Sequence, residues 1–428
     1  MATIQITAEN IDVELLDDSL KDGLVRSTIS LLEAMLQNER LLESIWPICR
    51  QGFPSNIGLK LVPLDRIGSS QGLSGSKVMV SYLFDRASDN PLFASRPLIV
   101  KIASPEDGGT DTLRLEKSNA EEITDFAAYH PDSFAIPLHI NDARSNGSVS
   151  VLWSPFAAPW KVSYPSRLVF DAQREFLHLL RQEPVTSRET NIYNVLENLY
   201  ELLKPLHQRG GRSKAESHTF IEEYTDYLRG IVKSAKWVEI WLKEWGGLES
   251  RRVNTFNKEW INPFWLLNQI KDQSAQMYCG AVHGDLHPRN VIMGTFGSPR
   301  IIDFGWASGS AHIAKDFVLM EANLRFMLLP PEISPENLDK MTQIVAFTET
   351  PPVLDHSACN ERIRVIWALR DIARRHFPPT TDWFDEYIIP LFLTSLGLLK
   401  HIRSADNTAA AQLTILHLAT YIGETRGL

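Results

Sequence analysis

Apolar positions outline the elements of this chain before any chemistry is considered. Leu24, Ile29, Leu32, Met35, Leu41 and Ile45 recur at helical spacing, which predicts a helical segment over 24–48. Gly52, Pro54 and Gly58 then break the pattern. From Leu59 to Trp153 the texture is that of strands. GLKLVPLDRI reads as one. SGSKVMVSYLF alternates Val78, Val80 and Tyr82 against Met79 and Ser81, as a half-buried strand does, and RPLIVKIA is a third apolar, β-branched run. Helical spacing returns between Thr110 and His130, and SVSVLW (148–153) is again a strand.

After Pro155 the pattern is mainly helical. Helices are expected over Arg174–Arg181, Thr190–Gln208, Ser217–Trp245, Phe256–Gln269, Ala314–Leu328, Ser334–Phe347, Glu361–Arg375, Asp382–Arg403 and Asn407–Gly423. One strand pair interrupts them: NVIM and RIID flank the turn GTFGSP, with its two glycines and a proline. The expectation is an α+β chain in three parts: an N-terminal helical extension (1–58), a small β-rich part (59–153) and a larger helical part (154–428) holding the hairpin.

Composition narrows the function. The 428 residues are 44% hydrophobic and 22% charged, the balance of a globular protein. A net charge of -9 argues against a nucleic-acid partner, which would call for a basic stripe. Three widely separated cysteines, Cys49, Cys279 and Cys359, with no CxxC pair, argue against a disulfide framework or a zinc ribbon. The opening MATIQITAENIDVELLDDSL is acidic and lacks the apolar core of a signal peptide. The longest apolar run, Tyr387 to Leu399, contains Pro390 and is too short to span a bilayer. No membrane association is expected, and a cytoplasmic location is.

The densest chemistry lies in VHGDLHPRNVIMGTFGSPRIIDFG, 282–305. Asp285 precedes Asn290 by five positions, and Asp303 follows the second hairpin strand. Phosphoryl transfer from ATP needs a carboxylate to orient the nucleophile and oxygen ligands to hold magnesium on the phosphates. Magnesium takes few protein ligands beside phosphate and water, which suits Asn290 and Asp303. Taken singly, each residue also reads as a loop cap or turn former. The order loop, strand, turn, strand, Asp-Phe-Gly favours the chemical reading.

VHGDLHPRNVIM followed by IIDFGWA resembles the catalytic and metal loops of the aminoglycoside phosphotransferase and choline kinase-like superfamily. His-Gly-Asp is nearer to that branch than the His-Arg-Asp of protein kinases. The resemblance implies a bilobed protein kinase-like fold, with a small β-rich lobe, a large helical lobe and an extra N-terminal helical segment. It implies ATP and Mg2+ as cofactors and a small-molecule acceptor. Asp285 is then the catalytic base, Asn290 and Asp303 the metal ligands, His283 a structural member of the loop, and His287 a neighbour of the phosphates or substrate. Asp316, in AKDFVLME, is similar to the later Asp that hydrogen-bonds back to the catalytic loop. In such a fold Lys101, ending the strand LIVKIA, pairs with ATP phosphates. Glu116 shares a helical face with Ala120, Ile123 and Ala127 and is its expected partner, with Glu122 the alternative. Gly72 and Gly75, in GSSQGLSGSKVMV, would cover the phosphates, although the spacing fits neither Gly-x-Gly-x-x-Gly nor a P-loop. Trp153 would stand at the adenine-binding hinge.

Two rival readings use the same residues. One is a kinase-fold module that binds nucleotide or a partner without turnover, the N-terminal or C-terminal helices offering docking surfaces. The other is a metallohydrolase built on His283, Asp285 and His287, which Gly284, Pro288 and the lack of HExxH oppose. Acidic residues between 174 and 269, among them Glu197, Glu201, Glu222, Glu223, Asp226 and Glu239, would suit a cationic acceptor or simply form a solvated helix face.

Overall fold

The computed structural model describes residues 6–13, 21–63, 77–92, 95–103, 109–127, 132–141, 149–158, 160–163, 167–170, 176–181, 186–208, 214–294, 298–327, 329–346 and 350–428. The chain begins with β1 (Ile11–Val13), α1 (Lys21–Leu36), α2 (Glu39–Ile45), β2 (Ile57–Pro63), β3 (Lys77–Asp85), β4 (Asn90–Pro91) and β5 (Leu98–Ala103). Next come α3 (Gly109–Glu122), α4 (Thr124–Ala127), β6 (His139–Asn141), β7 (Ser150–Pro155), β8 (Trp160–Ser163) and β9 (Arg167–Phe170). They are followed by α5 (Phe176–Arg181), α6 (Thr186–His207), β10 (Lys214–Thr219), α7 (Phe220–Glu223), α8 (Thr225–Val232) and α9 (Lys236–Glu244). Then come β11 (Arg252–Thr255), β12 (Lys258–Ile261), α10 (Pro263–Ile270), β13 (Ser274–Val282), β14 (Val291–Met293), β15 (Pro299–Ile301) and β16 (Ser308–His312). The last helices are α11 (Ala314–Ala322), α12 (Pro335–Thr342), α13 (Ser357–His376), α14 (Ile389–Gly397) and α15 (Thr408–Thr425). The class is α+β. No helix among the described residues is long and apolar enough to cross a membrane.

The elements gather into two units: Met1–Glu175 with Asn290–Ala307, and Phe176–Arg289 with Ser308–Leu428. The first is built on a seven-stranded sheet of order β1-β2-β3-β5-β7-β6, with β4 beside β3. Strand alternation sends Leu98, Val100 and Ile102 of β5 into one core, where they meet Leu24, Leu31, Leu32 and Met35 of α1. Trp153 anchors this core, edge-on to Trp46 at 6.3 Å, with its indole N–H donated to Ser27 Oγ at 2.7 Å. The apolar stripe that predicted a helix over 24–48 is therefore part of the first unit's core. The hairpin β14–β15 belongs to this unit too.

The second unit surrounds α11 and α14, whose residues are all buried. Its three-stranded sheet, β10-β13-β16, did not stand out from the hydrophobic pattern. β13 does alternate, burying Ala275, Met277, Cys279 and Ala281, but of these only Met277 is a large apolar residue, so the alternation is weak in the sequence. β10 is polar, and six residues paired with β13 make it a strand. The helix expected over Phe256–Gln269 is instead the hairpin β11–β12 followed by α10. Phe256 and Asn257 both have positive φ, the geometry of a tight two-residue hairpin turn. The helix waits for Asn262, whose side chain caps Phe264 N at 3.0 Å, and for Pro263 behind it. The helix expected over Ser217–Trp245 is also interrupted. The Thr219–Glu222 capping box starts α7, and Ser234, at φ 50°, separates α8 from α9.

Candidate functional site

In the first unit the candidate nucleotide-binding groups lie on β5 and α3. The alternation that buries Val100 and Ile102 turns Lys101 to the opposite face of the sheet, toward α3. Lys101 Nζ lies 2.7 Å from each carboxylate oxygen of Glu116, itself only 5% exposed. Glu122, the alternative partner, is exposed. Asp303 Oδ1 stands 3.6 Å from Lys101 Nζ. Burial opposes the lysine charge, but the carboxylates of Asp303 and Glu116 outweigh it, and the Lys101 pKa is raised. The ammonium is therefore kept charged.

Asp303 leaves β15 with φ 65°, a left-handed conformation that Asp tolerates better than most residues. The hairpin beneath it is fixed by Ile301, which exchanges backbone bonds with Ser133 and Ala135 at 2.7 and 2.9 Å. Asn290 is 6% exposed, and its carbonyl accepts Ile302 N–H at 3.0 Å, tying the Asn290 end of the loop to the start of Ile302-Asp303. Asn119 of α3 donates to Gly305 O at 2.6 Å, so the helix bearing Glu116 also holds the Asp-Phe-Gly turn. Asn119 gave no sequence signal beyond its position. Gly72 and Gly75 lie outside the described residues. Trp153 lies inside β7, paired on both sides, and its carbonyl is taken by Leu138 N–H at 2.7 Å.

In the second unit β13 runs directly into His283-Gly284-Asp285. Gly284 has φ 78°, which explains why a residue without a Cβ stands there. Asp316, fully buried on α11, accepts His283 N–H at 3.0 Å and Gly284 N–H at 2.8 Å. A hydrogen bond of 3.0 Å joins its carboxylate to His207 Nε2. Burial would raise the Asp316 pKa, but the hydrogen bond and charge of His207, aided by His283, hold it below the usual aspartate value. Tyr227 O–H donates to Gly284 O, and Tyr200 O–H to Asp316 O at 2.8 Å. His207 and His376, which meet Nδ1 to Nδ1 at 3.3 Å, were not anticipated. The available signal was spacing: Tyr200 and His207, two helical turns apart on α6, face Asp316 together.

His283 is buried, its Nδ1 accepting Asp285 N–H at 3.3 Å. His287 and Asp285 are partly exposed, with His287 Nε2 3.8 Å from Asp285 Oδ2 and His287 Nδ1 accepting Arg289 N–H at 3.2 Å. Among the described residues, the donor atoms of His283, Asp285 and His287 do not gather within 4.8 Å of one another. Several acidic residues of the helical region are engaged internally: Glu197 with Arg375, Glu223 with Lys315, and Glu222 in its capping box.

A family model described as ternary complex associated domain 9 matches residues 203–400, just under half of the chain. No curated protein matches by sequence. Solved structures that align with the chain include small-molecule kinases and phosphotransferases. The chain resembles aminoglycoside phosphotransferases and choline kinases. A candidate aminoglycoside phosphotransferase from Ralstonia eutropha aligns at 11% identity and a TM-score of 0.46, covering 92% of this chain and 98% of that one. Amicoumacin kinase in complex with AMP-PNP, Ca2+ and its antibiotic aligns at 14% and 0.38, over 92% and 93%. A choline kinase from Streptococcus pneumoniae aligns at 15% and 0.31, over 72% and 88%. Likeness at this level does not assign an activity.

Proposed function

We propose that this chain is an ATP- and magnesium-dependent phosphotransferase that moves the γ-phosphate of ATP to a hydroxyl or amine of a small-molecule acceptor in the cytoplasm. One observation carries the reading: Lys101 is held between Glu116 at 2.7 Å and Asp303 at 3.6 Å, joining the strand lysine, the helix carboxylate and the Asp-Phe-Gly aspartate. This is the polar framework that kinase-type phosphoryl transfer requires. The donor set also suits a hard cation: a carboxylate from Asp303 and an amide oxygen from Asn290. Asn290 and Asp303 would hold magnesium, which when bound would supply positive charge to offset that of the transferring phosphate.

In this reading Lys101 binds the α- and β-phosphates, and Glu116 fixes its direction. Asp285 orients the acceptor and takes its proton on a carboxylate oxygen. His287, beside Asp285, contacts phosphate or acceptor. The backbone bonds from His283 and Gly284 to Asp316 hold Asp285 in place from behind. Asp285→Asn tests the assignment, because it keeps shape and removes the proton-accepting charge. ATP binding should persist while turnover falls by about 10²- to 10⁴-fold, the usual contribution of a general base. Without a known acceptor, slow ATP hydrolysis serves as the readout. Undiminished turnover in the variant would overturn the assignment.

A second reading, a kinase-fold module that binds nucleotide within an assembly, is favoured by the description of the family model over 203–400. It expects ATP binding by the wild type with neither transfer nor hydrolysis.

A further inference from the structure

On one face of the second unit's sheet, Glu216 and His218 stand two residues apart on β10, facing the same side. Cys279, on the antiparallel neighbour β13, pairs with residue 214 and projects onto that face. One donor atom from each of the three lies within 4.8 Å of the other two. His218 Nε2 and Glu216 Oε2 are 3.3 Å apart.

We propose that Glu216, His218 and Cys279 form a binding site for a zinc-class divalent cation. Zinc bonds of about 2.0–2.3 Å at tetrahedral angles set donors roughly 3.3–3.7 Å apart. The His218–Glu216 separation already meets that spacing, and the limit on the third donor requires only a side-chain adjustment. One imidazole, one carboxylate and one thiolate suit zinc and exclude magnesium, which prefers oxygen alone. This site is therefore chemically distinct from the Asn290 and Asp303 donors. Its polarity is graded: Cys279 is buried, whereas Glu216 and His218 are about one-third exposed, leaving the fourth position to water. On binding, the Cys279 thiol releases its proton to solvent and the sulfur bonds the cation as thiolate.

The location gives the site a consequence. The cation would clip β10 to β13, and four residues beyond Cys279 β13 becomes His283 of the candidate catalytic loop. Sequence spacing alone could not reveal the site, since Cys279 lies far along the chain from Glu216 and His218 and only β10–β13 pairing unites them.

The test uses the full chain, stripped with chelator and titrated with Co2+ and then Zn2+. One equivalent of Co2+ should produce a sulfur-to-cobalt charge-transfer band that Zn2+ displaces and Mg2+ does not. Cys279→Ser should abolish the band. If that variant fails to fold, His218→Ala, changing a partly exposed residue, decides: affinity should fall at least about tenfold with circular dichroism unchanged. No band in the wild type, or wild-type affinity in His218→Ala, overturns the proposal. This outcome is independent of ATP turnover, so it leaves the phosphotransfer reading untouched.

Discussion

His376 offers a stability test independent of any substrate. It is 4% exposed on α13, packed edge-on against Phe317 at 5.3 Å, with its Nδ1 3.3 Å from His207 Nδ1. A charged imidazole carries an N–H on both nitrogens, and His376 Nε2 is a buried atom with no hydrogen-bond partner, so the charged form is poorly accommodated. Burial, followed by the charge of His207, lowers the His376 pKa from 6.5 to about 3. Between those values the unfolded chain binds a proton that the folded chain refuses, so stability falls as pH drops through 6.5 toward 3. Each pH unit well inside that window costs about 1.4 kcal/mol, so lowering the pH from about 7.5 to about 5 should cost about 2 kcal/mol through this residue. His376→Phe removes the titrating group and keeps an aromatic ring among Phe317 and Tyr200. Native-state hydrogen exchange of the α13 amides, in wild type and variant at both pH values, measures the loss. The variant should lose about 2 kcal/mol less than the wild type on acidification, whatever its stability at neutral pH. Equal acid sensitivity would refute the neutral, desolvated state assigned to His376.

Three further outcomes are expected. ATP with magnesium should raise the Tm of the wild type, and Lys101→Ala should shrink that shift by removing a phosphate contact; an undiminished shift excludes Lys101 from the site. Asp303→Ala and Asn290→Ala should each weaken the magnesium-dependent part of nucleotide affinity, Asp303 more because it is charged; calorimetric titration with and without magnesium reads the difference, and a wild-type response in both removes the metal assignment. Gly280→Ala should destabilise by about 1–3 kcal/mol, as overpacking does, because a Cβ there runs into the His207 carbonyl; denaturant unfolding followed by circular dichroism checks it.

The sequence determined the local grammar of this protein. Alternation marked β3, an apolar β-branched run marked β5, helical spacing marked α1, α3 and α6, and two glycines with a proline marked the turn between β14 and β15. The candidate residues on VHGDLHPRN and IIDFG stood out because their chemistry is concentrated in short, ordered segments. Lys101 was legible for a similar reason, as a cation ending an apolar strand. Where pattern and local chemistry parted, the pattern misled: Phe256–Asn257 turned a predicted helix into a hairpin, and β10, being polar, became a strand through its partner. Tertiary structure alone made the other decisions. It chose Glu116 over Glu122 for Lys101, because only one of the two carboxylates faces the sheet. It put Asn119 against Gly305 and His207 with His376 behind Asp316, and it brought Glu216 and His218 to Cys279. Each of these is a contact between residues distant along the chain. Helical or strand periodicity says which face a residue occupies; only packing says what meets that face.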